Sequence, residues 1–251
     1  MIQIVPLTGI GEVLPGSDLA ALLADAIEST GMEPEPGDLL VVTQKIVSKA
    51  EDRFVDLTTV TPGARAIEVA QITRKDPRLV ELVLSESTAV LRAVPNVLIT
   101  RHRTGLVMAN AGIDRSNIGE GSNERVLLLP IDADHSAAQL RAALASRWAN
   151  PPGIVISDSF GRPWRYGVVN VAIGASGLPA LIDCRGEPDR DGRMLEVTQV
   201  ALGDMIATAA GLATGEGAEG VPAAFVRGVV WPREDKAATA LVRPLNEDLF
   251  Q

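Results

Sequence analysis

Several short segments carry side chains suited to phosphates and cations. Ala109-Asn110-Ala111-Gly112-Ile113-Asp114-Arg115-Ser116-Asn117 places a carboxylate, a hydroxyl and two amides within nine positions. Mg²⁺ takes such hard oxygen donors, usually one or two carboxylates completed by phosphate and water; an Asx-capped turn accounts for the same composition. In Ile154-Val155-Ile156-Ser157-Asp158-Ser159-Phe160-Gly161-Arg162-Pro163-Trp164-Arg165 a hydrophobic run ends in an acid and a hydroxyl, with two arginines behind. Asp158 could hold a metal there, Ser159 could add an oxygen, and Arg162 or Arg165 could grip a phosphate or carboxylate through two donors. A helix N-cap with surface arginines is the alternative. Gly215-Glu216-Gly217-Ala218-Glu219-Gly220 matches G-x-G-x-x-G, but a long helical segment precedes it and a strand follows, the reverse of the dinucleotide fingerprint. Such a turn can still wrap backbone amides around phosphates while Glu216 or Glu219 reaches a cation, and it also serves simply as a loop ending a helix.

The segment Thr43-Gln44-Lys45-Ile46-Val47-Ser48-Lys49 contains no P-loop. Extended as a strand it would put Lys45 and Lys49 on one face, able to pair with a triphosphate or simply to be solvated. Gly9-Ile10-Gly11-Glu12 is a flexible turn that could approach a base or ribose, or merely connect two elements. His102 and His135 have no partner at zinc-ligand spacing and Cys184 has no nearby His, so a zinc site or a Ser-His-Asp triad is not expected and carboxylates are the acid–base candidates.

The composition agrees with placed cations rather than a basic surface. The 251 residues carry a net charge of −9, which argues against phosphate-tracking nucleic-acid binding, and the eight aromatic residues offer few stacking platforms. At 46% hydrophobic the chain can fill a sizeable aliphatic core. No apolar run approaches the ~20 residues of a membrane span, and the single cysteine and absence of a leader-like opening point to the cytoplasm. An acidic protein that handles a polyphosphate needs divalent cations and a few positioned Lys or Arg.

These groups must be positioned by elements that periodicity outlines. Strands are expected at residues 2–6, 39–42 running on towards 49, 95–100, 104–109, 126–129, 153–156, 168–173 and 224–230. Helices are expected after Ser17, from Pro62 to Gln71, from Pro77, over 136–148 and over 196–212. The basic corner Arg101-His102-Arg103 suggests a hairpin, and 110–123 reads as a polar loop. Because helices and strands mix without regular βαβ alternation, the expected class is α+β, with mixed or antiparallel sheets and flanking helices, neither P-loop nor Rossmann.

Taken together, the ordered motifs Pro6 to Glu12, Val42 to Lys49, Ala109 to Asn117, Ser157 to Arg165 and Gly215 to Pro222 resemble the coenzyme F420-0:γ-glutamyl ligase family over nearly the whole chain. The resemblance implies a single ligase domain over residues 1–251, with room for two interleaved subdomains and no flavin-binding C-terminal domain in this sequence. It implies GTP-driven addition of L-glutamate to the terminal carboxylate of F420-0, extension of a γ-linked tail, an acyl-phosphate intermediate, and release of GDP and phosphate. Mg²⁺ or Mn²⁺ would act, as two ions, with a monovalent cation as a further candidate, in an intertwined homodimer. Gly9, Ile10, Gly11, Glu12, Gln44, Lys49, Asn117 and the turn Thr214, Gly215, Glu216, Gly217, Ala218, Glu219, Gly220 and Val221 would contact GTP. Asp114 and Asp158 would hold one cation, while Ser159 and Glu216 would help hold a second. Asp114, Asp158 and Lys49 would carry the catalysis. Arg162 and Arg165, on bidentate geometry alone, are candidates for anchoring the acceptor or the incoming glutamate. Two readings compete: a non-catalytic nucleotide-binding regulatory module, and a metal-dependent phosphohydrolase that uses the same carboxylates with water as nucleophile.

Overall fold

In the computed structural model, which describes residues 1–119, 124–232 and 234–248, one mixed five-stranded sheet organises the chain. Its strands are β1 (Gln3–Leu7), β2 (Leu39–Thr43), β8 (Gly153–Arg162), β9 (Arg165–Ser176) and β12 (Ala223–Arg227), in the order β1-β12-β2-β8-β9. Only β2 and β8 run parallel; the other pairs are antiparallel. The alternation in Leu39-Leu40-Val41-Val42 divides the core between the two faces of this sheet. Leu40 and Val42 pack with α1 (Leu19–Ser29), α2 (Gln44–Ala50) and α5 (Ala133–Leu144), whereas Leu39 and Val41 pack with α6 (Leu202–Thr214).

A third core, built on Leu57, Val69, Val80, Val83, Leu98 and Val126, lies among the remaining elements. These are β3 (Phe54–Asp56) paired with β7 (Arg125–Leu127), helices α3 (Ala64–Thr73) and α4 (Pro77–Ser85), and the antiparallel sheet of β4 (Ser87–Val94), β5 (Val97–His102) and β6 (Val107–Ala109). A short pair, β10 (Ile182–Asp183) with β11 (Gln199–Val200), precedes α6. Helix starts follow capping chemistry: the carboxylates of Asp18, Asp76 and Asp132 accept backbone N–H groups of the first turns of α1, α4 and α5, and Pro77 opens α4. No helix among the described residues is long and apolar enough to cross a membrane.

The α+β class holds, and several local expectations change. Residues 44–49 form helix α2, not a continuation of β2, because Thr43 is the last extended residue and a helix buries Ile46 and Val47 together. Strand β8 runs on to Arg162 instead of stopping at Ile156; beyond Ser157 it leaves β2 and pairs only with β9, making a two-stranded arm. Helix α6 starts at Leu202 rather than 196, since Gln199 and Val200 are paired in β11. Strand β4 has no counterpart in the expected elements; its β-bulges blur the period-two pattern. Of the loop expected at 110–123, residues 120–123 lie outside the described residues.

Candidate active site

Strand register brings distant motifs to one edge of the main sheet. Leu7 at the end of β1 pairs with Ala223 at the start of β12, Ala223 pairs with Val42, and Thr43 pairs with Ser157. The turn at 8–12, the start of α2, Asp158 and the Gly-rich turn before β12 therefore all leave the sheet on the same side. This is the carboxyl end of its one parallel pair, a common position for ligand sites in open sheets. The backbone N–H of Thr43 donates to Pro222 O at 2.9 Å, which ties the Gly-rich turn to the start of α2.

The loop bearing Asp114 comes from the other sheet system and is pinned twice. Asp114 and Leu127 exchange backbone hydrogen bonds, each 2.9 Å long. Its carboxylate then reaches α2: Gln44 Nε2 donates to Oδ2 at 2.6 Å, and Lys45 Nζ lies 3.5 Å from Oδ1. Lys45 also donates to Ser116 O at 3.0 Å, and Asn117 Nδ2 donates to Gly217 O at 3.1 Å, so this loop also touches the Gly-rich turn.

Asp158 lies in β8 beside a register shift, its Oδ1 accepting the Ser159 N–H at 2.9 Å. Burial first, and then the negative charge of Asp114, lift its carboxyl to about 7; Glu216 adds to the rise, while the Ser159 N–H and Lys45 oppose it. Burial likewise pushes the Asp114 carboxyl up, against the pull of Lys45 and Gln44. Asp114, Asp158 and Glu216 thus share one electrostatic neighbourhood although they stand far apart in sequence. Among the described residues no three His, Cys, Asp or Glu side chains enclose a single ion by themselves. The donors fit a cation held by two carboxylates and completed by phosphate oxygens and water, and they do not form an all-protein cage.

Lys49 is only 5% exposed, and its ammonium pairs with Glu12 Oε1 at 2.7 Å. Gly119 backs this pair so closely that a Cβ there would lie 2.6 Å from Glu12 Oε1. The Gly-rich turn is a helix-ending loop: Gly215 terminates α6 at φ +71°, and the Gly217 N–H donates to Glu219 Oε2 at 2.7 Å. At its start the Thr214 hydroxyl is buried with no protein partner. Glu219 therefore braces the turn, whereas the charge of Glu216 acts on Asp158.

Most residues singled out from the sequence gather here: Glu12, Gln44, Lys49, Asp114, Asn117, Asp158, Ser159 and the turn from Thr214. The arginines stand apart from them. Arg162 and Arg165 face each other across the tip of the β8–β9 arm, and Arg162 donates to Gly167 O within that hairpin. Lys45 and Lys49, expected on one face of a strand, instead lie one turn apart in α2 and go to different carboxylates. Ser48, fully buried, donates its hydroxyl to Gln44 Oε1 at 2.9 Å. Its part is invisible until the segment is known to be helical, when the i,i+4 spacing places it against Gln44. His102 sits in β5, its Nδ1 2.8 Å from Thr104 Oγ1, and His135 lies in the first turn of α5.

Comparison with known proteins bears on what this arrangement does. The family model described as F420-0:Gamma-glutamyl ligase matches residues 9–228. A protein of Methanopyrus kandleri named coenzyme F420:L-glutamate ligase is 43% identical over 96% of this chain and 94% of its own length. Proteins of the same name from Methanothermobacter thermautotrophicus and Halobacterium salinarum are 39% and 44% identical. These two matches cover 100% and 87% of the chain, and 99% and 84% of the relatives.

Proposed function

The chain belongs to the F420-0:gamma-glutamyl ligase family and is a ligase, and from that premise we propose that it uses GTP to join L-glutamate to the terminal carboxylate of coenzyme F420-0. On this reading it then extends the tail through γ-linkages and releases GDP and phosphate. The observation that carries the reading is the gathering of Asp114, Asp158 and Glu216 beside Lys45, with Lys49 paired to Glu12 at the same end of the sheet.

A carboxylate does not acylate an amine in water, so the acceptor must first be activated. Its oxygen attacks the γ-phosphorus of GTP; a new P–O bond forms, the β–γ bridge breaks, and GDP leaves with the electron pair. The glutamate nitrogen then attacks the acyl carbon of this acyl phosphate, phosphate departs with the C–O electrons, and the amine loses a proton. Asp114 and Asp158 would hold one divalent cation, with Ser159 and Glu216 contributing to a second. Mg²⁺ or Mn²⁺ at these positions supplies charge neutralisation for phosphate oxygens. Lys49 exchanges Glu12 for phosphate, while residues 9–12, Gln44, Asn117 and 214–221 line the nucleotide. Arg162 and Arg165 are the candidates for anchoring the acceptor or the incoming glutamate, from the arm. That arm also supports the homodimer: Trp164 is 84% exposed and Tyr166 and Val168 are open beside it, an apolar surface that a second copy would cover. The single, free Cys184 fits the reducing cytoplasm as the compartment.

The test is to incubate the protein with GTP, Mg²⁺ or Mn²⁺, L-glutamate and F420-0, and to follow GDP together with acceptor mass. Added glutamyl units are the expected result. GDP formed without acceptor would instead support the phosphohydrolase reading, and absence of turnover would overturn the proposal.

A further inference from the structure

Three polar side chains form a line from the inside of α2 to the acidic cluster. Ser48 and Gln44 are one turn apart, with relative exposures of 0% and 2%, and Gln44 reaches Asp114, seventy positions away in sequence. An ionised carboxylate only accepts hydrogen bonds, so the end of the Gln44 amide facing Asp114 is its NH₂ group. Its other end, Oε1, is then a buried acceptor that needs a donor, and the Ser48 hydroxyl meets it at 2.9 Å. The amide is fixed at both ends. With Oδ2 held by Gln44, the Asp114 carboxylate presents Oδ1 towards Lys45.

We infer that Ser48 is a positioning residue for the divalent-cation site: it locks the Gln44 amide, and through it the rotation of the Asp114 carboxylate, whose Oδ1 the ion would take over from Lys45. The inference rests on the reading of Asp114 as a metal ligand and assigns Gln44 a task beyond lining the nucleotide. Without the Ser48 hydroxyl, Gln44 Oε1 loses its buried donor, and the amide gains by rotating away from Asp114 towards other donors. Partners that orient a metal-binding carboxylate typically alter affinity by 10- to 100-fold when removed.

The test uses the full chain and Mn²⁺ alone, with bound ion measured from the loss of the free-Mn²⁺ electron paramagnetic resonance signal. Ser48→Ala should weaken Mn²⁺ binding roughly tenfold. Gln44→Met, which keeps the length of the side chain but removes both polar ends, should weaken Mn²⁺ at least as much. Because Ser48 acts only through Gln44, the double variant should bind no more weakly than Gln44→Met alone. Wild-type Mn²⁺ affinity in Ser48→Ala, or additive losses in the double variant, would overturn the inference. If Ser48→Ala does not fold, Gln44→Met alone decides: Mn²⁺ affinity equal to wild type overturns it. Asp114→Asn separates the two levels of argument. Loss of Mn²⁺ in Asp114→Asn with retention in Ser48→Ala rejects only the positioning role, whereas retention in Asp114→Asn removes the underlying ligand assignment as well.

Discussion

Replacing Asp158 by Asn removes a charge that the folded, metal-free chain holds at a cost. The carboxyl is raised from 3.8 to about 7 by burial and by the charges of Asp114 and Glu216. A difference of about three pH units, at ~1.36 kcal/mol each, sets a ceiling of ~4 kcal/mol for ionising it in the fold. Asp158 is partly open to water, and allowing for that screening leaves on the order of 2 kcal/mol. The sign follows from linkage: the folded state holds the proton more tightly, so this contribution is fully present below about pH 4 and is lost as pH rises through about 7. Asn stays neutral throughout. In EDTA the variant should therefore match the wild type near pH 4 and exceed it by about 2 kcal/mol at pH 8.5, roughly 5 °C in Tm for a chain of this size. Mn²⁺ at a hundred times its Kd should return about 2.7 kcal/mol to the wild type and nothing to the variant, reversing the order. Differential scanning calorimetry at both pH values, with and without Mn²⁺, reads all four states. A variant less stable than the wild type in EDTA at pH 8.5, or equal stabilisation of both proteins by Mn²⁺, would refute the reasoning.

Lys49→Ala deletes a buried ammonium whose loss as a phosphate partner is worth about 1.5–3 kcal/mol; steady-state kinetics should show KM for GTP rising roughly 10- to 100-fold, with KM for F420-0 changed far less. Asp114→Asn should leave the circular dichroism spectrum intact and reduce metal-dependent GDP release by at least about a hundredfold, in keeping with loss of a direct ligand rather than its support. Gly215→Ala puts a side chain in a backbone conformation open essentially to glycine alone and drives it into the Glu219 side chain; it should cost about 1–3 kcal/mol in urea unfolding and raise KM for GTP.

How far the site could be read in the sequence depended on whether a residue's task is local. Asp114, Asp158 and Lys49 stand out because a hard-cation or phosphate site needs those residue types, and the ends of the buried strands around them are marked by unmistakable aliphatic runs. The Gly-rich turn was legible as the end of a helix because a long small-residue segment leads into it. Position along a strand was less legible: Asp158 reads as the end of β8, yet the strand continues, because the partner that sustains it is β9 across a hairpin and not the parallel neighbour β2. Residues 44–49 mislead for a related reason. Their β-branched members extend the pattern of β2, and only tertiary packing, which buries Ile46 and Val47 on one side, selects a helix. That choice reassigns chemistry as well as shape. In α2, Lys45 and Lys49 stay neighbours one turn apart, but Lys45 reaches Asp114 and Lys49 pairs with Glu12, while Gln44 and Ser48 form a buried pair. The two lysines thus give an acidic chain two cationic positions, one beside Asp114 and one beside the turn at residues 9–12.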